Sequence, residues 1–99
     1  MKTVKENKTH APIYTFFQEI KRQHHDAIVL MQLGDFYNTF DGDAQTCVDE
    51  LDWIMTPVPI GGELVRFAGV PRFAVEAHVA QLIEKGYRVA MVDPARKEQ

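Results

Sequence analysis

The chain has 99 residues, which is enough for one domain and too few for two. Because 45% of the residues are hydrophobic and 25% are charged, the chain can form one ordinary core and is not disordered. No apolar run approaches the roughly 20 residues that cross a membrane, and the polar start MKTVKENKTH is not a signal peptide. The formal net charge of −3 excludes the clear basic excess of a domain that binds nucleic acid by charge alone.

The first predicted elements are a helix and a buried strand. Residues 1–10 are polar, and from Pro12 to about His24 the apolar side chains recur at helical spacing, which predicts a helix with one buried face. The run from Ala27 to Leu33 is short, apolar and rich in branched side chains, so it predicts a strand that is buried on both faces.

A second strand and a second helix are predicted to follow. The segment FYNTF predicts an extended piece in which Phe36, Asn38 and Phe40 share one face, because side chains alternate along a strand. We expect Asp41 to cap the next helix, whose apolar residues recur at helical spacing up to Leu51.

The second half of the chain predicts two strands, a helix and a final strand. Residues 53–56 predict a strand that the two nearby prolines end or confine to a sheet edge. Gly61-Gly62 predicts a hairpin turn to a return strand over residues 64–68. A third helix is predicted over residues 73–85 and a last strand over residues 87–92.

In chain order the predicted elements run α-β-β-α-β-β-α-β. This order predicts one α/β (α+β) domain over residues 11–93, in which about three helices pack on one mixed β-sheet. Residues 1–10 are predicted to be a flexible lead, and residues 94–99 a polar tail.

The sequence contains no pattern typical of catalysis or of metal binding. It has no phosphate-binding loop, and the adjacent His24 and His25 point apart rather than converging on a metal. Cys47 falls at a core position of a helix, where a thiol is unreactive. We therefore predict that the chain is not an enzyme and holds no metal or cofactor. The single cysteine also fits a reducing compartment, so we predict a cytoplasmic location.

Two segments of the chain resemble a known family. Gly34-Asp35-Phe36-Tyr37 follows the buried strand and is closed by Phe40, and Ala68-Gly69-Val70-Pro71 precedes Ala74-Val75-Glu76. Together with Ala11-Pro12 and the pattern of the third helix, these segments resemble the N-terminal mismatch-recognition domain (domain I) of MutS DNA mismatch repair proteins. The resemblance covers about residues 11–92.

The resemblance implies a DNA-binding module. In this family a phenylalanine wedges into the base stack at a mispair from the minor groove, and a glutamate two residues later hydrogen-bonds the displaced base. By position Phe36 matches the phenylalanine, whereas Asn38 stands where the family has the glutamate. Asn donates and accepts hydrogen bonds but carries no charge. The segment between Thr56 and Phe67 is short and poor in basic residues, and Arg66 and Arg72 are the nearest candidates for contacts with backbone phosphates.

The resemblance also implies partners and cofactors. Duplex DNA with a mismatch or distortion is the expected ligand, and other MutS-type domains or repair proteins are expected protein partners; no membrane is expected. ATP and magnesium would be bound by other MutS domains, because the family's ATPase region is much longer than this chain.

Alternatives stay open at this point. Without the resemblance, Phe36 would be interpreted as a core or sheet-face aromatic, and Arg66 and Arg72 as solvated surface residues. Residues 35–64 contain seven acidic residues and no Lys or Arg, so we expect weak DNA binding by the domain alone. The alternative function is a protein-interaction or structural module that keeps the fold without binding mismatches, and the exposure of Phe36 distinguishes the two.

Overall fold

The structure is a computed structural model that describes residues 10–95. Its helices and strands are α1 His10–Gln23, β1 Ala27–Leu33, β2 Phe36–Phe40, α2 Asp41–Leu51, β3 Val58–Ile60, β4 Glu63–Val65, β5 Phe67–Pro71, the 3-10 turn Arg72–Ala74, α3 Val75–Glu84 and β6 Arg88–Val92. Of the predicted lead, residues 1–9 lie outside the described residues, and His10 begins α1. Of the predicted tail, residues 96–99 also lie outside the described residues. Over the described range, none of the helices has the length and apolar character that crossing a membrane requires.

A four-stranded sheet with the order β5-β2-β1-β6 forms the centre of the fold. β1 pairs antiparallel with β2 and parallel with β6, and β5 pairs antiparallel with the other side of β2. The strands β3 and β4 form a separate two-stranded hairpin. The α+β class with a mixed sheet and three helices is therefore confirmed, although the strands divide between two sheets rather than one.

Helices cover both faces of the sheet because β1 is apolar on both sides. Ile28 and Leu30 pack with α2 and α3 on the face that we call the α2 face. Val29 and Met31 alternate with them and pack with α1 and the hairpin on the opposite face, which we call the α1 face. All four side chains are buried, as predicted for this strand.

The alternation predicted for β2 is confirmed by its packing. Tyr37 packs against the cluster on the α2 face, whereas Phe40 belongs to the cluster on the α1 face. Because successive side chains of a strand point to opposite faces, Phe36 and Asn38 lie on the α1 face together with Phe40.

The strand predicted over residues 53–56 is wrong, because residues 52–57 belong to no strand and β3 begins only at Val58. The Thr56 N–H donates to the Phe67 carbonyl at 2.7 Å, so the segment does run beside β5. Pro57 and Pro59 have no N–H, however, and cannot continue a ladder along that edge. The predicted return strand also divides, since Arg66 separates β4 from β5.

The prediction that Asp41 caps α2 is also wrong. The helix begins at Asp41, and Phe40 occupies the N-cap position without a capping side-chain hydrogen bond. The Asp41 carboxylate instead accepts a hydrogen bond from the Tyr14 hydroxyl at 2.8 Å. The backbone of Asp41 has φ of 56°, a left-handed conformation that Asp tolerates better than most residues.

Asp43 joins the first turn of α2 to β1 and α1. Its buried carboxylate accepts the Val29 N–H at 3.0 Å and the Lys21 ammonium at 2.9 Å. The same ammonium donates to the Ala27 carbonyl at 2.6 Å. A first-turn carboxylate also interacts favourably with the positive end of the helix dipole, so Asp43 stabilises the helix and the packing of three elements at once.

We expect Asp43→Ala to lower the free energy of unfolding by about 1–3 kcal/mol, because it leaves the buried Val29 N–H without its partner and removes an ion pair in which the Lys21 side chain is 30% exposed. Asp49→Ala is the matched control, since Asp49 is exposed on the same helix and its removal costs no more than about 0.5 kcal/mol. Urea unfolding of both variants measures the difference. Equal losses for the two would contradict the role assigned to Asp43.

Two side chains with raised pKa values, Cys47 and Tyr14, predict a loss of stability at high pH. Burial, and then the negative charge of Asp43, raises the pKa of the Cys47 thiol from 9.0 to about 12. Burial, and then the hydrogen bond to Asp41, raises the pKa of Tyr14 from 10.0 to about 12. Both groups stay protonated in the folded chain at pH values where they ionise in the unfolded chain, so the free energy of unfolding falls as the pH rises from 9 to 12.

The pH dependence is measured by urea unfolding of the wild type and of Cys47→Ala at several pH values. We expect Cys47→Ala to show a smaller loss of stability between pH 9 and 12, whatever its stability at neutral pH. An identical slope in the two proteins would show that ionisation of the thiol is not coupled to unfolding.

Candidate nucleic-acid interface

Phe36 is the first residue of β2 and follows a turn in which Gly34 has φ of 60°. It pairs with Leu33 of β1 and with Pro71 of β5. It stands at the end of the strand, and its side chain is 49% exposed. Phe36 therefore lies outside the buried core.

Asn38 lies two residues further along β2, on the same face as Phe36, and is 6% exposed. It lines a surface pocket of about 400 Å³ that begins beside the Phe36 ring and that we call the Asn38 pocket. The residues lining the pocket are Leu33, Phe36, Asn38, Ile54, Thr56, Phe67 and Gly69. The structure thus brings the two residues predicted to meet DNA to one concave surface.

Gly69 makes room for the Asn38 side chain. The two residues are cross-strand partners, and a Cβ at position 69 would overlap Asn38 Oδ1 and approach the Tyr37 carbonyl to 3.1 Å. Among the described residues, no side chain or backbone group hydrogen-bonds the Asn38 amide. Its donor and acceptor capacity is therefore free for a ligand in the Asn38 pocket.

The two candidate arginines lie at opposite ends of β5. The Arg72 N–H donates to the Asp35 carbonyl at 2.7 Å, which places Arg72 directly beside Phe36. Arg66 precedes the other end of the strand, and its guanidinium lies 3.5 Å from Gln45 Oε1. Six residues of extended chain separate the two arginines by roughly 20 Å. The structure therefore brings Arg72 close to Phe36, whereas Arg66 lies at the far end of β5.

Several acidic residues of the segment 35–64 lie away from Phe36. α2 carries Asp49 and Glu50 and packs on the α2 face, opposite to the face of Phe36. Glu50 accepts the Tyr87 hydroxyl at 2.8 Å and pairs with Lys85 at 3.4 Å. The hydrogen bond to Tyr87 lowers the pKa of Glu50 and raises that of Tyr87. Asp49 and Glu50 therefore lie away from the Phe36 surface, whereas Asp35 lies next to Phe36.

Sequence reasoning missed Phe73, which is 91% exposed and borders the same end of β2. It was expected to begin the third helix, but it lies in the 3-10 turn before that helix. A signal was present in the sequence, because Phe73 does not belong to the apolar stripe by which α3 packs on the core. Within residues 10–95, no group of three or more His, Cys, Asp or Glu side chains is arranged to hold a metal.

Comparison with known proteins assigns a family. The family model "MutS domain I" matches residues 11–99. The chain is 43% identical over 84 residues to the DNA mismatch repair protein MutS of Symbiobacterium thermophilum, and 42% identical over 83 residues to that of Halothermothrix orenii; each match covers 83% of this chain, and 10% and 9% of the respective relative. It is 39% identical over 93 residues to the MutS protein of Dehalococcoides mccartyi, a match that covers 93% of this chain and 11% of the relative.

The chain spans about a tenth of the length of these relatives. The family model, by contrast, matches nearly all of the chain, and it includes both segments on which the resemblance was based. The chain belongs to the MutS domain I family.

Proposed function

We propose that this domain binds duplex DNA at mispaired or distorted steps, with Phe36 as the residue that enters the base stack. The observation that carries the proposal is the half-exposed ring of Phe36, which shares one concave surface with Asn38. The family assignment supports it, because the matched relatives are named DNA mismatch repair proteins. The proposal gives the domain no catalytic step and no cofactor of its own, and it places the domain in the cytoplasm, in keeping with the free Cys47 thiol.

Deformability explains how such a ring selects a mispair. A mispaired step is already poorly stacked, so opening it costs less than opening a normal step. The inserted aromatic ring then restores about 1–3 kcal/mol of stacking. Phe36 is suited to this role because its ring is already outside the core and gives up little packing when it meets a base.

Asn38 is proposed to contact the edge of a displaced base. Two residues along a strand span roughly 6.5 Å on one face, which is close enough for the wedge and the amide to reach the same base pair. An amide neither repels backbone phosphates nor takes up a proton, as a carboxylate would. Selection by this domain therefore depends more on stacking and deformability than on a charged hydrogen bond.

Arg72 is proposed to contact a backbone phosphate next to the wedge. Its backbone is tied to Asp35, the residue before Phe36, so its position relative to the ring is determined by the fold. Arg66 is proposed as a second, more distant phosphate contact, because it is exposed near the opposite end of β5. Phosphates recur along the whole duplex, so one DNA molecule can contact both arginines although they lie roughly 20 Å apart.

A protein-interaction role is the second candidate function. Ile54 and Leu64 are 76% and 72% exposed, and both come from segments near the β5 edge of the sheet. Exposed apolar side chains of this kind are typical of contacts with other domains or proteins. Other MutS-type domains or repair proteins are the proposed partners.

We expect Phe36→Ala to abolish the preference for mismatched DNA, because the substitution removes the stacking ring and leaves the sheet intact. The preference is the ratio of affinities for a mismatched and a matched duplex, measured by fluorescence anisotropy at low salt. A loss of roughly tenfold is expected for the mismatched duplex. Leu64→Ala is the matched control, since it truncates an exposed apolar side chain of the hairpin. Equal affinity of the wild type for both duplexes, unchanged by Phe36→Ala, would refute the wedge.

Arg72→Gln should weaken binding to matched and mismatched duplexes alike, because phosphate contacts carry no sequence information. A plot of log affinity against log salt concentration should lose about 0.9 from its slope for one phosphate contact. The corresponding change for Arg66→Gln is expected to be smaller, as Arg66 lies further from the wedge. An unchanged slope for Arg72→Gln would show that Arg72 makes no phosphate contact.

A further inference from the structure

A hydrogen bond between Trp53 and His78 joins the segment after α2 to α3. The Trp53 Nε1–H donates to His78 Nδ1 at 3.0 Å, and the two rings meet edge to face with their centroids 5.7 Å apart. Trp53 is buried among the side chains of the α2 face. The indole has a single polar group, so His78 supplies the acceptor that this buried N–H requires.

The residues that follow Trp53 form one wall of the Asn38 pocket, on the opposite face of the sheet. Ile54 and Thr56 line that pocket. The segment passes along the β5 edge, where the Thr56 N–H donates to the Phe67 carbonyl at 2.7 Å, and β3 then packs on the α1 face. Ile54 is 76% exposed and contributes little packing of its own. The position of this wall therefore depends above all on the buried Trp53.

We propose that His78 is a positioning residue for the Asn38 pocket, which acts through Trp53, and that protonation of His78 releases the wall formed by Ile54 and Thr56. To accept the indole N–H, the His78 ring must be neutral with its proton on Nε2. A protonated imidazole has an N–H on both nitrogens and presents a second donor to the Trp53 N–H. Acid therefore breaks the bond and leaves a buried N–H without its partner.

No carboxylate holds the protonated form of His78 in place. The elements packed against α3 are α2, the 3-10 turn and β6, whereas residues 53–57 and β5 carry no titratable side chain. Within residues 10–95, His78 forms no ion pair with the charged and titratable side chains of these elements. Those near α3 are Cys47, Asp49, Glu50 and Asp52 on α2, Arg72 in the turn, Glu76 and Glu84 on α3, and Lys85, Tyr87 and Arg88 after it.

The consequence for DNA binding rests on the proposed function, because it assumes that a displaced base enters the Asn38 pocket. The attachment of the wall to α3 does not depend on that assumption. If the wall moves, the pocket loses the shape in which Asn38 and Phe36 face one base pair. We therefore expect the preference for mismatched DNA to decrease over the pH range in which histidine side chains take up a proton.

The test uses the 99-residue chain and the variants His78→Asn, His78→Phe and His25→Asn. Asparagine offers an amide oxygen as acceptor and takes up no proton, so His78→Asn keeps the hydrogen bond and loses the titration. Phenylalanine keeps the edge-to-face ring contact and loses the acceptor. His25 is exposed just after α1, so His25→Asn is the matched control for removing a histidine. Circular dichroism checks that each variant is folded.

The emission of Trp53, the only tryptophan of the chain, reports the state of the hydrogen bond. From about pH 8 to about pH 5, the emission of the wild type and of His25→Asn should change in one protonation step. The emission of His78→Asn should stay constant over the same range. A step that persists in His78→Asn would overturn the proposal, since the titrating group would then not be His78.

Hydrogen exchange of the Thr56 N–H reports the position of the wall, because this N–H is bonded to the Phe67 carbonyl. At about pH 5.5 it should exchange about fivefold faster in the wild type than in His78→Asn, the effect of one net hydrogen bond. At about pH 7.5 it should exchange faster by the same factor in His78→Phe, whereas His78→Asn resembles the wild type. Equal exchange in the wild type and His78→Asn at the lower pH would overturn the positioning role and leave the proposed function standing.

DNA binding separates the two proposals. The preference of the wild type for a mismatched over a matched duplex should fall by up to about fivefold between the two pH values, and that of His78→Asn should not. If the emission and the exchange follow the expected pattern but the wild type binds both duplexes equally at either pH, the proposed function is refuted. The role of His78 in positioning the segment is then supported without it.

Discussion

The pairing of β2 between β1 and β5 is the constraint on which the candidate site depends. Each residue of β2 is held in register on both sides, so the alternation of its side chains is imposed by two ladders. This places Phe40 in the core and Asn38 at the floor of a pocket, and leaves Phe36 half-exposed at the strand end. A slip of one residue would exchange these with Tyr37 and Thr39, and the site would disappear.

The same sheet separates the charges of the domain. Because α2 packs on the face opposite to Phe36, the acidic residues at its centre and end are far from the surface proposed to meet DNA. Asp43, at its start, is buried and neutralised by Lys21. Charge counts along the sequence therefore overstate the electrostatic repulsion of DNA at the site, where Asp35 and Arg72 are neighbours.

Two pockets flank the Phe36 ring, and they differ in chemistry. The Asn38 pocket offers an uncharged amide between apolar side chains, whereas the other pocket, lined by Asp35, Arg72 and Phe73, offers a second aromatic ring and two charges. A neutral amide makes weaker electrostatic contacts than a carboxylate, so the proposed selectivity rests mainly on stacking and on the ease of deforming the duplex.

Local patterns were enough to predict α1, β1 and the alternation of β2, which depend on periodicity, and the turn at Gly61-Gly62, which depends on the two glycines. The family was also predicted from short segments, because each segment consists of consecutive residues and can be recognised without knowledge of the fold. Contacts between distant parts of the chain decided the rest. The Asp41 carboxylate accepts a hydrogen bond from Tyr14 instead of capping α2, and Arg72 rather than Arg66 lies beside Phe36.

The exposure of Phe73 also depends on contacts that local sequence patterns do not show. The apolar stripe of α3 leaves Phe73 off its buried face, but it does not show whether another element covers the ring, since the exposure of a side chain depends on what packs over it. Periodicity is a property of adjacent residues and can be read directly from the chain. The burial of β1 followed from its apolar run, but the exposure of Phe36 and Phe73, the register partners and the proximity of charges arise only when strands and helices pack. These features were decided by the tertiary structure.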